Sequence, residues 1–542
     1  MTWLAPAVLA VLVMLPRLAA PQFGLLDDGF TLEAGERVVG RWSAALHLIP
    51  ATGRFFPAHW VAQAAIVGSV GARPLAFFLI NTLILVALLA ILARLVGYAG
   101  GGPAQALVAM VVFALCGPTI ESFYTLSKPE PLQLAWMAGA LLATAAAATA
   151  ASGARRAGLI ASAAALSLIA YASKETSLVL VPISLGWLAL EYRARGDRSA
   201  AWRFAVTYAA VNVAAAAVFL MLRAHYAPLG LDEGTYTRAY ALDRDVIAIA
   251  LFRIAAWLIR AFAFLLPLLA LTLVRPPGGR PRWGRPLRYA VVWMGGWLAV
   301  FLPWPATFEY YLLPFALGAA VVAGLVVGDG WDARGSWLAR LLLAVGALLW
   351  LGTVVNAVAD ARVQLAVDRA NADIVAFLAG LPARSRVVLN TAMNEYHLEL
   401  PRHLARIARR PDLVVEPPAP ATSDGPAPAT GDRFVVTPEL ANRPWPTVRL
   451  ALDEPGVARD HAMRERLLTG AAEPVYRTVR HTRFVEMGLH RLLCRIAPAP
   501  LLDPAFCPGD RPLVDRRLFT YGWQVHRLMR PVSDREPSRH GG

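Results

Sequence analysis

Of the 52 basic residues in this chain only two, Lys128 and Lys174, are lysine; the rest are arginine. Both follow a serine, both fall where an apolar segment meets a short connection, and both have an acidic neighbour. They read Ser127-Lys128-Pro129-Glu130 and Ser173-Lys174-Glu175. Arginine is a planar fork, whereas a lysine ammonium is a compact point charge that suits a phosphate or a buried carboxylate. Lysine at two similar places in a chain that otherwise uses arginine therefore points to a charge-specific role. The plainer reading is chance survival in an arginine-biased composition. Further ionisable groups sit at the ends of apolar segments: Asp27-Asp28, Arg54 in Gly53-Arg54-Phe55-Phe56-Pro57, Glu121 in Pro118-Thr119-Ile120-Glu121, and Arg223 with His225. Adjacent carboxylates suit general-base work or metal binding. If Asp27 and Asp28 are helical they point in different directions, so only one of them faces a reaction centre. Cations beside such a base would stabilise a phosphate leaving group.

These residues need a scaffold, and the composition indicates which kind. The 542 residues are 57% hydrophobic and only 16% charged, unlike a soluble globular chain. Apolar runs near the length needed to cross a bilayer as helix occur about eleven times: near 3–20, 75–98, 104–120, 130–152, 156–173, 175–193, 203–223, 246–274, 287–304, 310–328 and 336–356. The first lacks the basic start and cleavage site of a signal peptide and reads as a retained helix. The net charge of +15 would fit a nucleic-acid partner, but the arginines are placed otherwise. With the N-terminus inside, every second connection is basic, from Arg94 and Arg155-Arg156 to the clusters at 193–203 and 275–288, as the positive-inside rule requires. The alternate connections hold the acids, including Asp27, Asp28, Glu121, Glu130, Glu175 and Glu309. The expectation is a multi-pass membrane protein of bacterial inner-membrane type, with a polar outer face and no nucleic-acid partner.

Residues 1–358 read as the membrane module, with a first outer loop at 21–74, and 359–542 as a small α/β domain outside. In that domain a helix pattern at 366–380 precedes a strand at 386–390, a helix at 394–409, a strand at 413–415, a Pro/Ala/Gly-rich loop at 416–432 and a further strand from Arg433. Cys116 lies in an apolar run, while Cys494 and Cys507 fall in the tail, where an oxidising compartment would let them pair; two free thiols fit the sequence equally. There is no internal repeat, phosphate-binding glycine loop, dinucleotide fingerprint or zinc spacing. Ionisable groups at membrane depth are costly and mark function by default, although each alone is equally an interfacial anchor. Within the run 246–274, Arg253 and Arg260 share a helical face and either pair with outer acids or line a lipid-phosphate groove. Phe308-Glu309-Tyr310-Tyr311 fits an interfacial aromatic belt or a sugar-stacking surface.

In order and spacing these elements resemble the GT-C superfamily of polytopic glycosyltransferases, and most closely its O-mannosyltransferases that carry tetratricopeptide repeats. The residues concerned are Asp27-Asp28, Arg54 with Pro57, Pro118…Glu121…Lys128-Pro129-Glu130, and Lys174-Glu175, spanning roughly 20–190. Lys128 stands where that family has arginine, two phenylalanines separate Arg54 from Pro57, and the repeats are absent. The resemblance implies a polyprenyl-phosphate-linked sugar donor and a glycan, lipid or protein acceptor. It makes Asp27 the catalytic base, with Asp28 as the alternative. Arg54, Lys128 and Lys174 would contact the donor phosphate, and Glu121, Glu130 and Glu175 would orient these cations or bind sugar hydroxyls. Arg223 and His225 would add charge near the phosphate. A divalent metal is left open. The competing expectations are a transporter or flippase for a polar lipid, and a non-catalytic envelope scaffold.

Overall fold

Helix boundaries follow local chemistry. Proline opens several helices at the position where its missing N–H costs nothing, at Pro57, Pro74 and Pro103. Serine hydroxyls cap others: Ser152 accepts from Arg155 N and Ser199 from Trp202 N, each at 3.3 Å. The computed structural model describes residues 4–48, 54–194, 199–227, 243–273, 284–304, 308–332, 336–391, 394–417, 432–441, 454–468, 472–496 and 511–528. The helices are α1 (Leu4–Ala19), α2 (Asp28–Val38), α3 (Ala44–His47), α4 (Pro57–Val70), α5 (Pro74–Tyr98), α6 (Pro103–Ala114), α7 (Gly117–Phe123), α8 (Glu130–Thr149), α9 (Gly153–Ser173), α10 (Leu180–Arg193), α11 (Ala200–Tyr226), α12 (Arg244–Phe262), α13 (Leu265–Leu271), α14 (Gly284–Ala299), α15 (Leu313–Asp332), α16 (Trp337–Ala379), α17 (Asn394–Arg406), α18 (Glu454–Leu467) and α19 (Arg491–Ile496). Short 3-10 turns, Glu175–Val179 and Glu309–Leu312, lead into α10 and α15.

All eleven apolar runs are helical, but fewer than eleven are long enough to cross a bilayer. By length and composition, six described helices qualify: α5, α8, α9, α11, α15 with its leading turn, and α16. Two bent pairs, α6–α7 (61°) and α12–α13 (76°), each pass as one span, giving up to eight. The remaining three expected spans correspond to α1, α10 and α14, of 16, 14 and 16 residues. The apolar sequence around 175–193 loses length because its first turn is 3-10, starting at the acidic Glu175.

The chain divides into two compact units whose segments interleave. One comprises residues 1–21, 34–361 and 485–515, the other 22–33, 362–484 and 516–542. In this division the acidic loop groups with the tail, and 485–515 group with the helices. In the helical unit the core is built on buried Trp257, Trp297, Tyr124, Tyr171 and Tyr208. Cys494 is disulfide-bonded and Cys116 is free and buried; Cys507 lies outside the described residues.

The second unit holds a sheet of order β2-β1-β3-β5-β4 from β1 (Arg386–Leu389), β2 (Val414–Glu416), β3 (Arg433–Ala441), β4 (Ala472–Met487) and β5 (Val514–Leu528). β1 runs parallel to β2 and β3, with Val387 opposite Val415 and Phe434, and β3 runs antiparallel to β5. α17 is the crossover between the parallel strands β1 and β2, as such a connection requires. Phe434, Val436, Tyr521, Trp523 and Val525 are buried, and Asn371 Oδ1 accepts from Tyr521 Oη at 3.1 Å and Trp523 Nε1 at 3.0 Å. The expected loop at 416–432 falls almost entirely outside the described residues.

Candidate functional site

Lys174 closes α9 in an extended conformation, which ends the helix and turns its side chain into the helical unit. There its ammonium donates to the Glu130 carboxylate, at the first position of α8. Both side chains are buried, at 3% and 1% exposure, so neither charge is shared with water. Burial pushes the Lys174 ammonium down to about 8; Glu130 pulls the other way, and Arg54 and Lys128 add repulsion. Arg54, Lys128 and Lys174, distant in sequence, are thus electrostatic neighbours. Glu130 Oε2 is buried without a hydrogen-bond partner among the described residues.

Two tyrosines face the lysines. Lys128 Nζ lies 4.6 Å from the Tyr310 ring centroid, and Lys174 Nζ lies 4.5 Å from that of Tyr311. Such contacts hold a desolvated ammonium with about 2 kcal/mol. Both tyrosines are buried, so Tyr310-Tyr311 is not an interfacial belt. Their 3-10 turn is fixed from both sides. Glu121 Oε2 accepts the Tyr310 N–H at 2.9 Å. Glu309 accepts from Arg260 at 2.6 Å, and Arg260 also makes a forked pair with Asp360 at 2.9 and 2.7 Å. Glu309 can come this close because residue 117 is glycine: a Cβ there would lie 2.0 Å from Glu309 Oε1. Of the two readings for Arg260, pairing with acids is the one observed.

Glu175 secures the opposite wall. It pairs with Arg223 and accepts the Phe55 N–H at 2.8 Å, which fixes the backbone beside Arg54. The Arg54 guanidinium lies over the Phe56 ring at 5.1 Å. His225 is exposed and packs edge-on against Tyr226 instead of joining the cluster. A residue not foreseen from sequence, His59 on α4, is buried beside these cations. Burial, then Arg54 and Lys174, push it down to about 3, so it is neutral, and its Nδ1 has no hydrogen-bond partner among the described residues. Only its place little more than one turn beyond Arg54 could have signalled it.

The acidic pair belongs to the second unit. Asp28 is buried and its Oδ2 accepts the Gly24 N–H at 2.7 Å. Asp27 is half-buried and holds φ +64°, a conformation that aspartate tolerates better than most residues. α17 closes over this loop. Glu399 accepts the Phe30 N–H at 3.1 Å and pairs with Arg402 at 2.7 Å, while Arg402 Nε reaches Glu33 at 2.8 Å. A Cβ at Gly29 would lie 2.7 Å from Glu399 Oε2 and 2.9 Å from the His403 ring, so the helix and loop approach as closely as glycine allows. Burial and the neighbouring Asp27 push the Glu399 carboxyl up to about 7, against the pull of Arg402. The Glu399, Arg402 and His403 spacing on one helical face was a readable sign of this role, though not of its partner.

Among the described residues no group of three or more His, Cys, Asp or Glu side chains is placed to hold a metal ion. The helical-unit cluster, three cations with aromatic faces and one carboxylate oxygen still able to accept, is suited to an anionic phosphate carrying hydroxyl groups.

No protein-family model matches the sequence, and no curated protein matches it. Among solved structures, the chain is similar to ArnT from Cupriavidus metallidurans, crystallised with undecaprenyl phosphate, with 14% identity, a TM-score of 0.47, and coverage of 76% of this chain and 85% of that one. It is also similar to the archaeal oligosaccharyltransferase AglB from Archaeoglobus fulgidus, in complex with an inhibitory peptide and a dolichol-phosphate, with 12% identity and a TM-score of 0.47; the match covers 76% of this chain and 64% of AglB. Likeness at this level says nothing of what this chain acts on.

Proposed function

We propose that the chain is an integral-membrane glycosyltransferase that moves a sugar from a polyprenyl-phosphate donor to an acceptor on the extracytoplasmic side. The observation that carries the reading is the gathering of Arg54 and Lys128 about Lys174, with the two lysines set against Tyr310 and Tyr311. In the proposed reaction the acceptor hydroxyl attacks the anomeric carbon, the carbon–oxygen bond to phosphate breaks, and the cations neutralise the departing polyprenyl phosphate. Glu130 Oε2 accepts from a sugar hydroxyl. Asp27, with Asp28 as the alternative, takes the acceptor proton, a role that rests on the sequence resemblance. The alternating basic and acidic connections support an outward site, and a disulfide at Cys494 suits an oxidising compartment.

The test is sugar transfer in membranes supplied with a panel of labelled polyprenyl-phosphate sugars. Asp27→Asn is expected to abolish transfer at unchanged protein level, and Lys174→Met to weaken retention of polyprenyl phosphate. Full transfer by both Asp27→Asn and Asp28→Asn would remove the catalytic assignment. Accumulation of the sugar lipid on the inner leaflet in a deletion strain, without any transfer by the purified protein, would make the chain a flippase instead.

A further inference from the structure

The helical unit contains a cavity of about 580 Å³ that runs from Leu317 and Gly318 on α15 to a rim at Thr149, Ala200 and Arg285. α8 begins at Glu130 in the cation cluster and lines the cavity from Leu141 to Thr149, and α11 lines it from Ala200 to Phe204 and ends near Arg223. At 1.5 Å per residue the rim is roughly 28 to 35 Å from the cluster along these helices, while the inner wall at Leu317 is only about 9 Å along the chain from Tyr311.

The walls are aromatic. Trp187 stacks on Tyr289 at 4.9 Å and on Trp293 at 6.2 Å, and Phe204 stacks on Tyr289 at 5.8 Å. The rim is different. Arg285 lines it, half exposed, with Nε donating to Glu191 at 2.9 Å. Arg203 reaches the lining residue Ala148, whose carbonyl accepts from Nε at 3.2 Å and from the second terminal nitrogen at 3.1 Å. Two helices also start at the rim, α11 with Ala200 and Ala201 and α14 with Arg285 and Pro286, so both present the end that favours anions. Two guanidiniums and two helix N-termini outweigh the single carboxylate of Glu191.

We propose that this cavity is a binding site for an anionic membrane phospholipid, with an acyl chain against Trp187, Tyr289 and Trp293 and the headgroup phosphate at Arg285 and Arg203. An apolar chamber with a cationic rim, at the end of a membrane helix bundle, matches that amphiphile in both halves. The headgroup site at the rim lies at the other end of α8 and α11 from the cation cluster and does not depend on the donor site proposed above.

The experiment is photolabelling of the full-length protein in nanodiscs with a diazirine phosphatidylglycerol and a phosphatidylcholine of identical chains, with labelled peptides mapped by mass spectrometry. Peptides carrying Trp187, Phe204 and Tyr289 are expected to take the phosphatidylglycerol label severalfold more strongly. Arg285→Gln should erase that headgroup preference, and Ala145→Phe, which fills the cavity from α8, should reduce labelling by both probes. Equal labelling by both probes in the wild-type protein, or labelling untouched by Ala145→Phe, would overturn the proposal. Displacement of the probe by equimolar polyprenyl phosphate would also overturn it, by making the cavity a prenyl-chain site.

Discussion

At the level of single residues, two of the buried charged groups, Lys174 and Glu399, each have a pH signature. Lys174 is charged below about pH 8 and neutral above it, because burial outweighs the attraction of Glu130. Binding of a polyprenyl phosphate, followed by lipid retention or fluorescence, should therefore weaken as pH rises through 8. Lys174→Arg should remove the pH dependence while distorting the fit to a small anion. Glu399 has the opposite sign. Its carboxyl is raised from the usual 4.5 to about 7, so the folded state holds the proton more tightly than the unfolded one. That stabilisation is complete below pH 4.5 and is lost as pH climbs to 7, a change of about 3 kcal/mol. Glu399→Gln should flatten denaturant stability across this window, and an unaltered profile would argue against the burial of the acid. The lysines were legible because their type was rare in this composition. His59 was not, since histidine side chains in apolar segments usually serve packing, and Tyr310 was legible only as part of an aromatic belt or sugar-stacking surface, not as the partner of Lys128.

At the level of elements, the turn Glu309–Leu312 depends on neighbours remote in sequence. Glu121, Arg260 and Asp360 come from α7, α12 and α16 to hold it. Removing the cation with Arg260→Met leaves Glu309 and Asp360 buried without it, and should cost about 3–5 kcal/mol or abolish accumulation of the protein in the membrane. Gly117→Ala should act through geometry alone. It forces Glu309 to move and should lower donor binding, with helix content by circular dichroism unchanged. The helices themselves were legible from apolar run length, and the parallel strands from short valine-rich runs. β4 and β5 were not. Their sequences alternate Arg, Thr and His with apolar residues, as in Val475-Tyr476-Arg477-Thr478-Val479-Arg480, so half of each strand reads as polar loop. Nor does run length reveal where a helix bends or where its first turn is lost, which is why, of about eleven expected spans, six to eight helices among the described residues are long and apolar enough to cross a membrane.

At the level of the whole molecule, the expected orientation can be read directly. In right-side-out vesicles an impermeant maleimide should label Arg37→Cys and leave Arg155→Cys unlabelled; the reverse result would invert the topology and move the proposed active site to the cytoplasm. The interleaving of the two units could not be read from composition, because the loop 22–33 looks like any other connection between apolar segments. Its grouping with the tail also bears on biosynthesis. The Phe30 N–H and the Glu399 carboxylate are 369 residues apart. At the usual pace of about 5–20 residues per second, the ribosome needs at least tens of seconds between making one and making the other. During that interval the acidic loop is exposed without its helix, so arrival of α17, after every membrane helix has been made, fixes the backbone of the first motif made. Assembly of this chain is therefore expected to be sensitive to premature termination far downstream of every membrane helix, and to chaperones or proteases that reach Asp27 before the tail does.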